Sequence, residues 1–333
     1  MEKRSRVAII GTGGTISSVG RDPLDLIEYP DTKMKLEADQ LIEKFPIVQE
    51  VADVVPIRFR AVGSTEIGPP EWLELLRLIH ATARKDPDIA GFVVTHGTAT
   101  TEETAWFLNL TLKIAQPVVV VGAQRPSSGL GTDAGINLVN AVRTVASPAA
   151  RGMGVLVVLN DEIQSAREVT KTSTLRQQTF RSPDFGILGH ADADAVVFYR
   201  QPLRRRAPDT EFDVEGVEAL PRVDVAYSYA GADGKAIEAF VAAGARGIVS
   251  AGFAPGSGTP AETAALEAAV AKRVMVVQST RAGSGRVTQR ANLTAKGFIA
   301  GDNLNPQKAR ILLMLALATT KDPEDIKRIF AQY

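Results

Sequence analysis

Three short stretches of this chain put hydroxyl groups where chemistry could use them. The first, Gly11-Thr12-Gly13-Gly14-Thr15-Ile16, directly follows an apolar run at residues 7–10. Glycines at such a turn let backbone approach a ligand closely. One reading is a dinucleotide fingerprint, but G-x-G-x-x-G needs a glycine at position 16, which is Ile16. A second reading is a hydroxyl nucleophile, Thr15, presented on the turn. A third is a tight strand-to-loop turn with no chemistry. The second stretch is Thr95-His96-Gly97-Thr98-Ala99-Thr100-Thr101-Glu102-Glu103. Thr100 or Thr101 suits the N-cap of a following helix, and Glu102 and Glu103 suit its first turn. Capping leaves His96 to Ala99 unexplained. The third is Val169-Thr170-Lys171-Thr172-Ser173-Thr174. A lysine among apolar and hydroxyl side chains can lose its proton on burial; the alternative for Lys171 is an exposed loop lysine.

Each stretch needs a rigid element before it. Residues 7–10, 92–95, Val118–Val121 and Val155–Leu159 are β-branched runs bounded by turn residues and read as buried strands. Between them residues 70–83, 101–114 and 133–147 carry helical patterns, the first opening on a proline suited to a first turn. This alternation predicts an α/β fold: a large domain whose mainly parallel sheet is flanked by helices. Ligands of such sheets bind outside the carboxyl ends of the strands. From Tyr199 to about Pro221 the chain is polar, basic and proline-containing, and its Arg204-Arg205-Arg206 run reads as a solvated linker face. Alternation resumes at Val223. Helices are expected at 234–243, 260–271, 306–318 and 322–332, and strands at 247–251 and 274–278. The expected division is an N-terminal domain at 1–200, a linker at 201–222 and a smaller C-terminal α/β domain at 223–333.

The bulk composition agrees with a two-domain globular protein and excludes several classes. The chain has 333 residues, 45% apolar and 23% charged, and single cores stop growing at roughly 250–300 residues. Lys plus Arg and Asp plus Glu both total 38, which argues against nucleic acid or an anionic membrane as the main partner. Absence of cysteine excludes disulfides, thiolate nucleophiles and cysteine-ligated metals. The three histidines, His80, His96 and His190, have no metal-ligand spacing. No motif implies a metal or an organic cofactor. The N-terminal apolar run is too short for a signal-peptide core, and no stretch of about 18 apolar residues exists. A cytoplasmic location is therefore expected.

Taken together, the three stretches resemble the bacterial L-asparaginase family (type I/II asparaginase/glutaminase) over nearly the whole chain. The resemblance is carried by Thr12-Gly13-Gly14-Thr15-Ile16, Thr95-His96-Gly97-Thr98, Val121-Gly122-Ala123-Gln124-Arg125-Pro126, Asp133 with Asn137, Val169-Thr170-Lys171-Thr172, Ile248-Val249-Ser250-Ala251-Gly252 and the segment 303–310. It implies an asparaginase-type amidohydrolase acting on the side-chain amide of a small molecule through a threonine nucleophile and an acyl-enzyme. It also implies a homotetramer built as a dimer of dimers. Thr15 falls on the family's primary nucleophile, and Tyr29 falls near the tyrosine of a mobile covering loop. Thr98 and Lys171 fall on the second threonine and its lysine. Substrate-binding positions implied are Gly14, Gly63, Ser64, Thr65, Gly97 and Ala99, with Ser64 holding the substrate's α-carboxylate.

The chain departs from the family at several of these places. Ala99 stands where the family usually has an aspartate that binds the substrate's α-ammonium and contacts the lysine. Thr65 stands where a glutamine is usual, Gly231 where asparagine is common, and Asn292 about where a partner subunit offers a glutamate. Loss of an anion beside a cation costs several kcal/mol of binding, in order of magnitude. Two expectations follow side by side. Either the substrate is an ω-amide lacking a free α-amino group, or Asp233, Glu102 or Glu66 takes over and asparagine remains the substrate. Lys171, lacking a neighbouring carboxylate, is expected to have a lowered pKa. The competing functions are a ligand-binding homologue with weakened catalysis and a nucleotide-dependent oxidoreductase.

Overall fold

The computed structural model describes residues 4–333. They fall into two compact units, one ending at Thr210 and one running from Glu211 to Tyr333. The first unit runs β1 (Arg6–Gly13), α1 (Ala38–Lys44), α2 (Val48–Val51), β2 (Asp53–Val62), α3 (Pro69–Lys85), β3 (Ile89–Thr95), α4 (Thr101–Thr111), β4 (Val118–Val121), α5 (Ala134–Ala146), β5 (Val155–Leu159), β6 (Glu162–Ser165), β7 (Thr170–Lys171), β8 (Phe180–Arg181), β9 (Gly189–Ala191) and β10 (Val196–Phe198). One eight-stranded sheet has the order β10-β9-β6-β5-β4-β3-β1-β2, and β7 with β8 forms a separate ribbon.

Strands β2, β1, β3, β4 and β5 pair in parallel. A parallel strand covered on both faces must be apolar at every position rather than alternating. Accordingly Val118–Val121 and Val155–Leu159 are buried throughout. The remaining strands, β6, β9 and β10, continue the sheet antiparallel. The reversal occurs at Asn160 and Asp161, both left-handed with φ of 54° and 63°. Those residue types tolerate the conformation, and a two-residue turn of this kind matches the twist of a hairpin. Strand–helix alternation accounts for the parallel half; this hairpin interrupts it.

The core on one side of the sheet joins Val7, Ile9, Val93, Val119, Val121 and Val158 to Leu138 and Val142 of α5. Elsewhere in the unit Trp72 of α3 stacks on Phe107 of α4, with ring centroids 5.5 Å apart. The basic stretch after Tyr199 is tied into this unit. Arg200 pairs with Glu168 at 2.6 Å, Arg206 donates to the carbonyl of Gly152 at 2.7 Å, and Thr210 Oγ1 donates to the carbonyl of Leu110 at 2.6 Å. Arg206 thus works as a clasp rather than as part of a solvated face.

The second unit runs β11 (Val223–Tyr227), α6 (Lys235–Ala242), β12 (Gly247–Gly252), α7 (Pro260–Ala271), β13 (Met275–Thr280), α8 (Ala291–Ala295), β14 (Phe298–Ala300), α9 (Pro306–Thr319) and α10 (Pro323–Gln332). Its four strands are parallel in sequence order. Ile237, Ile248, Leu266, Val276 and Phe298 are buried together at its core. Helix starts are written in the sequence: Thr259, Asn305 and Asp322 each accept a backbone N–H at an N-cap, with proline in the first turn. Among the described residues no helix is long and apolar enough to cross a membrane.

Candidate active site

Because β1, β2 and β3 are parallel neighbours, the loops after them emerge at one edge of the sheet. Those loops touch through glycines. Gly14 has φ 79° and ψ −175°, and a Cβ built on it would lie 2.2 Å from both N and Cα of Gly97. A Cβ on Gly97 would lie 2.8 Å from Cβ of Ser64. Thr100 Oγ1 then donates to the carbonyl of Ser64 at 2.7 Å, tying the third loop to the second. Thr15, Ser64 and Thr98 are therefore brought together by close contacts at Gly14 and Gly97 that an added side chain at either glycine would disturb. Gly63 closes the middle turn, its N–H held by Glu66 Oε1 at 3.0 Å. Ala99 and Thr65 are exposed, each next to a residue of this junction.

Thr15 opens a short 3-10 turn after Gly14. Its Oγ1 lies 2.8 Å from the hydroxyl of Tyr29, which opens a second such turn at Tyr29–Thr32. The segment between is fastened at its base, where Ser127 binds the carbonyl of Ser18 through both its N–H and its Oγ. Leu24 and Ile27 within it are 75% exposed.

The second cluster centres on Thr98. Lys171 Nζ donates to Thr98 Oγ1 at 2.7 Å and to Gln124 Oε1 at 3.3 Å, and Thr98 Oγ1 donates to Gln124 Oε1 at 3.1 Å. Lys171 lies on the β7–β8 ribbon rather than on an exposed loop. Burial lowers its pKa below the ordinary lysine value, because removal from water disfavours the charged amine. Glu102 is tied to the lysine's strand. Its buried Oε1 accepts from Thr170 Oγ1 at 3.0 Å and from the Lys171 N–H at 3.2 Å, so it buttresses the lysine's strand. Glu66 is likewise engaged with the Gly63 N–H. Neither threonine at the start of α4 caps it by its side chain: Thr100 reaches Ser64, and Thr101 Oγ1 donates to the carbonyl of Gly97 at 2.9 Å.

Beneath the Thr98 loop, His96 is fully buried. Trp72 Nε1 only donates, and it lies 2.9 Å from Thr104 Oγ1, which lies 2.9 Å from His96 Nε2. The threonine hydroxyl accepts from tryptophan and donates to Nε2, so Nδ1 carries the proton and donates to the carbonyl of Gly97 at 2.8 Å. Burial pushes this histidine's pKa down to about 4, in keeping with the neutral ring the network assigns. Its task is to hold the loop, not to ligate or to act as a base.

Gln124 is the member of the site that sequence reasoning passed over. It sits in the loop after β4, whose shape is set by Asp133: that buried carboxylate accepts the N–H groups of Gln124 and Arg125 and the Nδ2 of Asn137. Asn137 in turn donates to the carbonyl of Gly122 at 3.0 Å. The signal was present in the pairing of Asp133 with Asn137, four residues apart at the start of α5 and so on one helix face. In the second unit, Gly231 lies in a turn after β11 with φ 83°, and Asn292 is exposed on α8.

A parallel α/β sheet whose strand-end loops gather a hydroxyl pair and a lysine–threonine pair defines an amidohydrolase-type architecture. Comparison with known proteins agrees. The family model "Asparaginase, N-terminal" matches residues 6–204, and "Glutaminase/Asparaginase C-terminal domain" matches residues 222–330. The "L-asparaginase 2" of Bacillus subtilis (strain 168) is 43% identical over 327 residues, covering 98% of this chain and 86% of that protein. The "Probable L-asparaginase periplasmic" of Haemophilus influenzae is 40% identical over 329 residues, covering 98% and 93%. The solved structure of the "Probable Cytoplasmic L-asparaginase from Campylobacter jejuni" superposes with a TM-score of 0.95 at 39% identity, covering 99% and 100%. The chain belongs to the asparaginase family, and its activity is hydrolysis of a linear amide C–N bond.

Proposed function

We propose that Thr15 is the nucleophile of this amide hydrolysis, with Tyr29 as its hydroxyl partner and Thr98 with Lys171 as the assisting pair. The observation that carries the proposal is the 2.8 Å contact between Thr15 Oγ1 and Tyr29 OH, on a turn packed through Gly14 against the loop of Thr98. A threonine hydroxyl is a weak nucleophile at neutral pH and needs both a base and oxyanion donors. In this reading Thr15 gives up its proton as Oγ1 bonds to the amide carbon. The C–N bond then breaks, with a proton passing to nitrogen to release ammonia. Water adds to the acyl-threonine, and the C–O bond breaks to give the carboxylate and restore the hydroxyl. The turns at Gly14 and Gly97 supply backbone N–H donors. Gly63, Ser64, Thr65 and Ala99 border the place where the substrate's remaining groups lie.

The substrate is a small amide carrying a side-chain or terminal CONH2 group, L-asparagine being the first to test. A second reading is favoured by Ala99 and Thr65: an ω-amide acid without an α-amino group, because neither side chain offers a charge for an ammonium. We also propose a homotetramer, which sedimentation reads directly. A cytoplasmic location is proposed from likeness to the C. jejuni protein; the name of the H. influenzae relative points to the periplasm, and cell fractionation decides between them. Neutral overall charge supports neither nucleic acid nor an anionic membrane as a partner.

The test is ammonia release from L-asparagine, D-asparagine, L-glutamine and succinamate, with Thr15→Ala as control. The control is expected to lose at least about a thousandfold in kcat. A Thr15→Ala protein that keeps turning over would remove Thr15 from the role. Preference for succinamate selects the second substrate reading, and fast L-asparagine turnover selects the first.

A further inference from the structure

We propose that Gln124 is a positioning residue for the Thr98–Lys171 pair, gripping the hydroxyl and the amine through one side-chain oxygen. The proposal rests on the reading of that pair as assisting groups.

Gln124 Oε1 accepts from Thr98 Oγ1 at 3.1 Å and from Lys171 Nζ at 3.3 Å. Its Nε2 donates to the carbonyl of Arg176 at 3.0 Å. This fixes which end of the amide is which. An ammonium only donates and a carbonyl only accepts, so the oxygen must face Lys171 and the nitrogen Arg176. The backbone of Gln124 is also fixed, its N–H shared between both carboxylate oxygens of Asp133 at 3.2 and 3.0 Å. The residue is thus anchored at its N–H by α5 and at its amide nitrogen by the segment following β7.

The consequence is a directed proton arrangement. With Lys171 charged, Nζ donates to Thr98 Oγ1, and the threonine proton points to Gln124. Once Lys171 is neutral, its lone pair is available to the Thr98 proton while Gln124 still receives an N–H of the amine. A carboxylate would hold the lysine too, but would also favour the ammonium. Gln124 holds it with a weaker bias, as a neutral acceptor. The charged groups around the pair are elsewhere engaged. Glu102 from α4 binds the Lys171 backbone and Thr170, and Asp133 binds backbone N–H groups at the head of α5. On the adjoining ribbon and its connection, Arg176 contributes its carbonyl, and Arg181 pairs across from Thr170. Of these, only the Arg176 carbonyl loses a partner when the side chain at 124 is changed.

The experiment compares the full-length protein with Gln124→Leu and Gln124→Glu, using pH–rate profiles on the best amide of the panel together with melting temperatures. Gln124→Leu is expected to lower kcat by about 10- to 100-fold with KM little changed, and to move the acid limb down by about one pH unit, since the charged amine loses an acceptor. Gln124→Glu is expected to move that limb up by about 1–2 units and to recover rate at high pH. The opposite displacements are what a merely structural role would not produce. If both variants keep the parent limb, or lose only melting temperature, the proposal is overturned; if Gln124→Leu does not fold, the limb of Gln124→Glu decides alone. Lys171→Met and Thr98→Val are measured alongside. Inactive pair variants with unmoved Gln124 limbs sink only the role of Gln124, whereas active pair variants sink the reading beneath it.

Discussion

Replacing Gly14 by alanine tests whether glycine-mediated contact sets the geometry of the site. At φ 79° and ψ −175° the backbone is in a region used almost only by glycine, and forcing another residue there costs about 1–3 kcal/mol. The added methyl carbon would also lie 2.2 Å from N and Cα of Gly97 and 2.7 Å from C of His96, whereas ordinary contact begins at 3.4 Å. Both sides are backbone, so no rotamer change relieves it; the loops of Thr15 and Thr98 must separate by about an ångström. Displacement on that scale costs on the order of 100-fold in rate. The expected result is therefore a fall of about 100-fold in kcat for ammonia release, with melting lowered by a few to about ten degrees. Gly216→Ala is the control, since a Cβ there meets nothing within 4 Å. A Gly14→Ala protein within about threefold of the parent kcat, less than 1 kcal/mol in barrier, would refute the argument that this contact positions the two threonines.

Two further outcomes concern pH. Burial holds His96 near a pKa of about 4 instead of 6.5, so the unfolded chain takes up a proton that the folded one refuses. Stability is intact above about pH 6.5 and is lost as pH falls toward 4, by about 3 kcal/mol in total. Urea unfolding at pH 7 and pH 4.5 should show that loss shrinking in His96→Asn, and an equal loss in both proteins would count against it. Lys171 works at the other end of the scale. Its folded pKa is depressed by burial, so between that value and 10.5 the unfolded chain binds more protons and stability rises with pH. Thermal melts from pH 7 to 10 should show a shallower rise in Lys171→Met than in the parent; identical slopes would mean the lysine is not burying its charge.

The parallel strands were legible because burial on both faces forces continuous apolar runs. Val118–Val121 and Val155–Leu159 have the same limits by sequence and by structure, as does Pro260–Ala271, bounded by a capping threonine and proline. The antiparallel edge was missed, although Asn160-Asp161 between two β-rich runs is the turn that makes it. Thr15 and Lys171 stood out by type and setting, and Tyr29 and Thr98 through the family resemblance; the structure places the four in two hydrogen-bonded pairs. What was not legible was how polar side chains are used across loops. Glu102 reads as a helix-start charge, yet its carboxylate reaches β7. Thr100 reads as a cap, yet its hydroxyl clamps Ser64. The Asp133–Asn137 pairing marks the loop that carries Gln124, but the contacts of its side chain exist only where that loop meets the β7–β8 ribbon. Periodicity reports burial; it carries no information on contacts between segments tens of residues apart.

The electrostatics of the site bear on substrate choice through Lys171. Its ammonium faces Thr98 Oγ1 and Gln124 Oε1, both neutral, and Ala99 brings no charge to the loop beside it. When protonated, the lysine is therefore a positive charge whose direct partners are neutral, in a partly buried place where effective screening is weaker than in water. A substrate's α-carboxylate gains from that charge, and an α-ammonium is repelled by it. Loss of the charge at Ala99 removes attraction for an ammonium, and the bare lysine adds repulsion, so both act in one direction. The Glu102 carboxylate, bound to the Lys171 backbone N–H and to Thr170 Oγ1, offsets part of this charge through space. On these grounds a deaminated ω-amide acid should outcompete the amino acid at pH values where Lys171 is charged, and the preference should narrow as the lysine loses its proton. A preference that is independent of pH would place the discrimination in pocket shape at Thr65 and Ala99 and not in the charge of Lys171.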